Sequence, residues 1–159
     1  MKLFSEESQR IQVIKRFIRF GLVGGSGVLV DMGVLFILGD PSILGCNLSL
    51  SKALAAEMAI LNNYIWNDLW TFHDISSSQP GWRVRAGRFA KFNLICAVGI
   101  VLNVLLLNGM VHLLGWNVYA SNLVGILLVS LWNFGLNLKF AWGNAPTRQN
   151  LEVKIAVTK

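Results

Sequence analysis

Charged residues are scarce in this chain. Asp, Glu, Lys and Arg make up 14% of it, whereas soluble domains carry about 25%. Apolar residues make up 54% of the chain, and the mean hydropathy is +0.55. The apolar residues form runs of about twenty, the length that an α-helix needs to cross a bilayer. The composition therefore excludes an ordinary soluble domain and predicts a multi-pass membrane protein.

Cysteine and histidine are also rare, which limits the possible chemistry. The chain has two cysteines and two histidines, too few for a disulfide framework. His73 and His112 are predicted on opposite sides of the membrane, and no spacing suits a metal site. No nucleophile elbow or phosphate-cradling loop occurs. We therefore expect no catalytic site, no metal and no cofactor.

Basic residues cluster at the ends of the chain and in its middle. All of the 14 Lys and Arg residues except Lys52 fall in three groups. These are Lys2, Arg10, Lys15, Arg16 and Arg19; Arg83, Arg85, Arg88 and Lys91; and Lys139, Arg148, Lys154 and Lys159. Basic residues gather on the cytoplasmic side of membrane proteins. The clusters thus predict an even number of spans with both termini in the cytoplasm, and they argue against nucleic-acid binding.

The hydropathy pattern predicts an all-α integral membrane protein with four transmembrane helices, arranged as two helical hairpins. The predicted spans are about 20–38, 53–72, 92–114 and 118–140. We interpret the chain as a single domain, 1–159, in the cytoplasmic (inner) membrane. Its predicted parts are a first hairpin at about 16–74, a linker at 75–82, a second hairpin at about 88–142, and a cytoplasmic tail at 143–159.

The segment before the first span alternates apolar and basic residues. Two interpretations stay open. The segment is either a short amphipathic helix on the cytoplasmic surface or an ordinary basic flank of the first span.

The two hairpins resemble each other in sequence. Residues 16–20, with the sequence RFIRF, correspond to RFAKF at residues 88–92, 72 positions later. Asn63 and Asn67 correspond to Asn133 and Asn137, 70 positions later. These matches predict a parallel internal repeat, and transporters with internal repeats bind substrate at the repeat interface.

Several motifs together resemble those of the GtrA-like family, over about residues 16–142. They are Arg16-Phe17 with Gly21 and Gly24, Glu57, Asn63-Tyr64 through Thr71-Phe72, Arg88-Phe89, Asn103, and Asn133-Phe134 through Trp142. The resemblance implies a role in moving polyprenyl-phosphate-linked sugars across the membrane for cell-surface polysaccharide synthesis. Similar domains also occur fused to polyprenyl-phosphate glycosyltransferases. One departure is that Asn137 and Lys139 occupy a stretch where the family often has an Arg.

Four basic residues mark the cytoplasmic mouths of the predicted hairpins: Arg16, Arg19, Arg88 and Lys91. They are candidates for holding a lipid phosphate, because Arg binds phosphate with two parallel N–H groups. Plain topogenic charge or binding of anionic membrane lipids is the alternative.

Amide and acidic side chains within the spans are the other candidates. Asn63, Asn67, Asn133 and Asn137 suit sugar hydroxyls, since amides both donate and accept, but amides also join membrane helices without a ligand. Acidic or polar groups inside a bilayer are costly and often serve a function. The candidates of this kind are Asp31, Glu57, Asp68 and Asn103. Asp31 and Glu57 are predicted at similar depth as a proton-sharing or cation-binding pair. The alternative is that Glu57 pairs with Lys52 or reaches the outer membrane interface.

The leading interpretation is a flippase for a polyprenyl-phosphate-linked sugar. A membrane anchor or scaffold for a glycosyltransferase is the second, and a small four-helix cation or drug exporter is the third. Four helices barely enclose a path for a sugar, so a homo-oligomer is a further expectation.

Overall fold

Every element in the described part of the chain is helical. The computed structural model describes the backbone of residues 2–143 and the side chains of residues 10–143. The elements are α1 (Lys2–Gly39), α2 (Leu48–Trp66), the π-helix π1 (Asn67–Thr71), α3 (His73–Ser76), α4 (Trp82–His112), α5 (Val118–Leu136) and the π-helix π2 (Asn137–Ala141). The chain divides into two compact units, of which the first ends at His73 and the second begins at Asp74.

Three helical segments are long and apolar enough to cross a membrane: Arg10–Gly39, Trp82–His112 and Val118–Ala141. The second predicted span corresponds to α2, which is not one of these three segments and which carries Lys52, Glu57 and the pair Asn62-Asn63. The chain is therefore an all-α membrane protein with three long apolar candidate spans.

Helix α1 runs without a break from Lys2 to Gly39, over 38 residues. At 1.5 Å per residue it is about 57 Å long, whereas the hydrocarbon core of a bilayer is about 30 Å thick. The basic segment before the first span is thus a continuation of the spanning helix. A separate surface helix does not form, because no Gly or Pro interrupts residues 2–20.

The connection from α1 to α2 and the connection from α4 to α5 share two local features. Gly45 (φ 55°) and Gly115 (φ 68°) adopt left-handed backbone conformations, which side chains with a Cβ disfavour. Asn47 caps α2 by accepting from the Leu50 N–H, and Asn117 caps α5 by accepting from the N–H groups of Tyr119 and Ala120. These caps satisfy backbone donors that have no partner within the helix.

The first unit is an antiparallel pair in which α1 packs against α2 and π1. Its contacts join Arg19 to Trp70 and Asp31 to Lys52, so residues later in α1 meet residues earlier in α2. At the end of π1, Phe72 is fully buried and meets the Phe20 ring edge-on, with the ring centroids 6.4 Å apart.

The second unit repeats this arrangement with α4, α5 and π2. Trp142, at the end of π2, is buried and meets the Phe92 ring edge-on at 6.0 Å. Phe92 lies 72 positions after Phe20, and Trp142 lies 70 positions after Phe72. The same aromatic contact therefore closes the same end of each unit.

The predicted linker at 75–82 is partly ordered. Ile75 and Ser76 belong to α3, and the N–H groups of Ser78 and Gln79 donate to the carbonyls of Ile75 and Ser76. The predicted tail at 143–159 lies outside the described residues beyond Gly143.

Candidate intramembrane polar site

The first asparagine of each predicted pair packs against a glycine of the neighbouring helix. A Cβ at Gly27 would overlap the Asn63 amide, and a Cβ at Gly99 would overlap the Asn133 amide. Small residues allow membrane helices to approach closely. These two amides therefore lie at points of close helix packing in their units, 70 positions apart.

The second asparagine of each pair begins a π-helix. Asn67 is 1% exposed and Asn137 is fully buried. The Asn67 carbonyl accepts from the Phe72 N–H at 2.9 Å, and the Asn137 carbonyl accepts from the Trp142 N–H at 3.0 Å. These bonds reach five residues along the chain, which defines a π turn, and π turns frequently occur at functional sites.

Both π-helix asparagines also have a buried side-chain oxygen. The Oδ1 atoms of Asn67 and Asn137 accept no hydrogen bond from any described residue. The Oδ1 atom of Asn133 is also buried and accepts no hydrogen bond from any described residue. The Nδ2 of Asn137 donates to the Asn133 carbonyl at 2.8 Å. A buried acceptor without a donor is costly. The buried amides thus contain acceptor atoms that no described residue uses.

Asp31 forms an ion pair with Lys52 across α1 and α2. The alternative in which Lys52 pairs with Glu57 is thus not the arrangement found. Asn103, which corresponds to Asp31 in the repeat, has a buried Oδ1 and packs against Gly125. The first unit therefore uses an ion pair where the second uses an amide against a glycine.

The two remaining acidic candidates lie in different environments. Glu57 is exposed on α2, while Asp31 is paired with Lys52, so a carboxylate pair of Asp31 and Glu57 stays a prediction. Asp68 is 4% exposed in π1, directly after Asn67. Among the described residues, no group of three or more His, Cys, Asp or Glu side chains is placed to hold a metal ion.

The four basic candidates differ in exposure although the sequence repeat relates them. Arg88 is 3% exposed, and its Nη1 donates to Gln79 Oε1 at 3.2 Å. Arg16 is partly buried, whereas Arg19 and Lys91 are exposed. A phosphate-binding role for these residues remains a prediction, and the exposed Arg19 and Lys91 are the two whose charge is accessible.

The sequence of this membrane domain is similar to those of known proteins. Residues 19–142 match the model of the GtrA/DPMS transmembrane domain. The chain belongs to this family. It is also 33% identical, over 129 residues, to a dolichol-phosphate mannosyltransferase of Pyrococcus furiosus. That match covers 81% of this chain but 34% of the relative, so the chain spans about a third of the mannosyltransferase's length.

All the candidate residues of this GtrA/DPMS domain except Arg16 lie within the matched segment. Three further polar residues, which the sequence did not indicate, form hydrogen bonds near the candidates. Asn62 Nδ2 donates to Ser26 Oγ at 3.0 Å, joining α2 to α1, and Gln79 accepts from Arg88. Asn62 is adjacent to Asn63 and could have been found from that position. Ser26 and Gln79 carry no signal in sequence, because their roles depend on contacts between segments.

Proposed function

We propose that this GtrA/DPMS domain translocates a polyprenyl-phosphate-linked sugar across the cytoplasmic membrane. The observation that carries the proposal is the similarity to the dolichol-phosphate mannosyltransferase. The name of that relative includes dolichol phosphate, an isoprenoid phosphate, and a sugar, mannose. The buried amide oxygens of Asn67 and Asn137 support it, because sugar hydroxyls are hydrogen-bond donors that such oxygens can accept.

The proposal includes a four-span topology with both termini in the cytoplasm. The length of α2 with π1, 48–71, equals that of α5 with π2, 118–141, at a constant offset of 70 positions. Since the latter segment is a candidate span, we treat its repeat equivalent as the fourth. The basic residues in the first half of α1, and those in the first turns of α4, then face the cytoplasm.

The transport step would involve no covalent chemistry in this chain. A sugar head group that leaves water loses its hydrogen bonds to water, and the bilayer core contains no groups that could replace them. The amide of Asn67 in the first unit, or those of Asn133 and Asn137 in the second, would replace some of them while the isoprenoid tail stays in the lipid. These amides would lower the free-energy cost of moving the head group through the bilayer core. In this proposal the chain acts as a transporter and not as an enzyme.

A second function is a membrane anchor for a polyprenyl-phosphate glycosyltransferase. It is favoured by the coverage of the Pyrococcus furiosus relative, of which the matching segment is 34%. In that protein the segment is part of a longer mannosyltransferase chain. An anchor would hold a separate transferase at the membrane without moving the lipid.

Cells that lack the chain distinguish the two functions. If the chain translocates the lipid, isolated membranes should still form the polyprenyl-phosphate sugar, but the cell surface should lose the sugar that it donates. If the chain is an anchor, the transferase activity should move from the membrane fraction to the soluble fraction. Loss of membrane-bound transferase activity would therefore overturn the translocation proposal.

A further inference from the structure

An apolar groove lies on the surface of the first unit between α1 and the end of α2 with π1. Its volume is about 540 Å³. It is lined by Leu22, Val23, Ser26, Trp66, Leu69 and Trp70. Two indole rings and three aliphatic side chains make it a binding surface for hydrocarbon.

The one polar side chain in the groove is already engaged. Ser26 Oγ donates to the Val23 carbonyl at 2.7 Å and accepts from Asn62 Nδ2 at 3.0 Å. The hydroxyl proton of Ser26 is therefore already donated to a hydrogen bond within the protein. The groove thus favours an apolar occupant over a sugar or another polyol.

A positively charged side chain, that of Arg19, lies at one end of this groove. Arg19 lies one helical turn before Leu22 and Val23, on the same face of α1. Its guanidinium stacks over the Trp70 ring at 5.5 Å, and Nη1 donates to the Trp70 carbonyl at 3.4 Å. A guanidinium has five N–H donors. Arg19 is exposed, and the one hydrogen bond from its guanidinium to Trp70 leaves other N–H groups for an anion.

The second unit does not repeat this combination. The positions equivalent to Trp66, Leu69 and Trp70 are Leu136, Lys139 and Phe140. Lys139 brings a charge to the position of Leu69, with its Nζ 5.2 Å from the centre of the Phe140 ring. Lys91 replaces Arg19. The repeat therefore supplies matched control positions with the same backbone but a different lining.

We infer that this groove binds the phosphate end of a polyprenyl phosphate, with the phosphate on Arg19 and the first isoprenoid units along Trp66 and Trp70. Charge complementarity selects an anionic lipid. The spacing selects the isoprenoid, because the Arg19 guanidinium lies 5.5 Å from the centre of the Trp70 ring, which lines the groove. In a polyprenyl phosphate the phosphate joins the hydrocarbon directly, whereas a phospholipid places glycerol and esters between them. The inference rests on the proposed function, for which it locates the lipid carrier.

Photo-crosslinking with a defined probe tests this site. The protein would be placed in phosphatidylcholine nanodiscs with a short polyprenyl phosphate that carries a photoreactive group in its first isoprenoid units. We expect crosslinks to peptides that contain residues 22–26 and 66–70. Unlabelled polyprenyl phosphate should compete well, polyprenol less well, and phosphatidylglycerol least.

Three variants separate the phosphate contact from the apolar contact. Arg19→Gln should weaken binding of polyprenyl phosphate roughly tenfold and leave binding of polyprenol unchanged. Leu69→Lys, which copies Lys139, should weaken binding of both. Arg83→Gln, the control at an exposed arginine that stacks on Trp82 as Arg19 stacks on Trp70, should change binding less than about twofold. Leu69 and Arg19 are exposed, so these variants should fold, and helicity checks this.

Two results would overturn the inference. The first is that the Arg19→Gln and Leu69→Lys variants bind polyprenyl phosphate as tightly as the unmodified protein. The second is that phosphatidylglycerol competes as well as polyprenyl phosphate, which would indicate a general anionic-lipid site. Its failure differs from that of the proposed function. Binding at the groove without transport in vesicles contradicts translocation alone, whereas transport that is insensitive to both groove variants contradicts the groove alone.

Discussion

Gly27 and Gly99 set how closely the helices of each unit approach. Each faces an asparagine amide at a distance that leaves no room for a methyl group. Gly27→Ala and Gly99→Ala should therefore each lower the free energy of unfolding by about 1–3 kcal/mol, as overpacked cores do. Thermal unfolding in detergent measures this loss.

Gly25 provides the matched control, because an added Cβ there would have no neighbour within 4 Å. Gly25→Ala should leave stability unchanged or raise it by up to about 1 kcal/mol, since Ala is the better helix former. Adding Asn63→Ala to Gly27→Ala should restore part of the loss. Equal stability of the Gly25 and Gly27 variants would show that the glycine contact does not limit packing.

Arg88 is buried, and this changes what its replacement should do. Arg88→Ala removes the hydrogen bond to Gln79 and should destabilise the protein by about 1.5–3 kcal/mol, the range for bonds to charged groups. Arg83→Ala is the control, because Arg83 is exposed and stacks on Trp82, a contact worth about 0.5–1 kcal/mol. If both variants melt at the same temperature, Arg88 is not a structural residue.

At the scale of elements, the two π-helices direct an aromatic side chain back into each unit. Trp142 is buried at the end of π2, whereas Phe140 in the same π-helix is half exposed. Trp142→Ala should cost about 3–5 kcal/mol, and Phe140→Ala should cost much less. Thermal unfolding of the two variants compares them directly, and a similar loss in both would remove the packing role assigned to π2.

The sequence predicted the helical class and the paired polar positions, because both depend on local patterns. Hydropathy placed the first, third and fourth spans, and the offset of 70 between Asn67 and Asn137 pointed to equivalent positions. The π turns were not predictable, since Asn-Asp-Leu-Trp-Thr fits an α-helix equally well. The burial of Arg88 and the Asp31–Lys52 pair were also missed, because they depend on contacts between segments distant in sequence.

At the scale of the whole molecule, the native cysteines can test the proposed topology. Cys46 is exposed in the connection after α1, and Cys96 lies within α4. In a Cys96→Ser variant, a membrane-impermeant maleimide should label Cys46 in intact cells. A Ser77→Cys variant that also carries Cys46→Ser and Cys96→Ser should react only after the cells are permeabilised.

The opposite labelling pattern would contradict the four-span model with cytoplasmic termini. If Cys46 reacts only after permeabilisation, the connection between α1 and α2 faces the cytoplasm and the basic residues have been misassigned. If Cys46 and Ser77→Cys both react in intact cells, α2 does not cross the membrane.

Translocation by the purified protein is the most direct test of its function. The protein would be reconstituted in vesicles that contain a polyprenyl-phosphate sugar, and an impermeant reagent that modifies the sugar would be added outside. We predict that the inner-leaflet pool becomes accessible much faster than in protein-free vesicles, while a phospholipid in the same vesicles stays protected. An inner pool that remains as protected as in protein-free vesicles, with the protein helical and inserted, would contradict translocation by this chain.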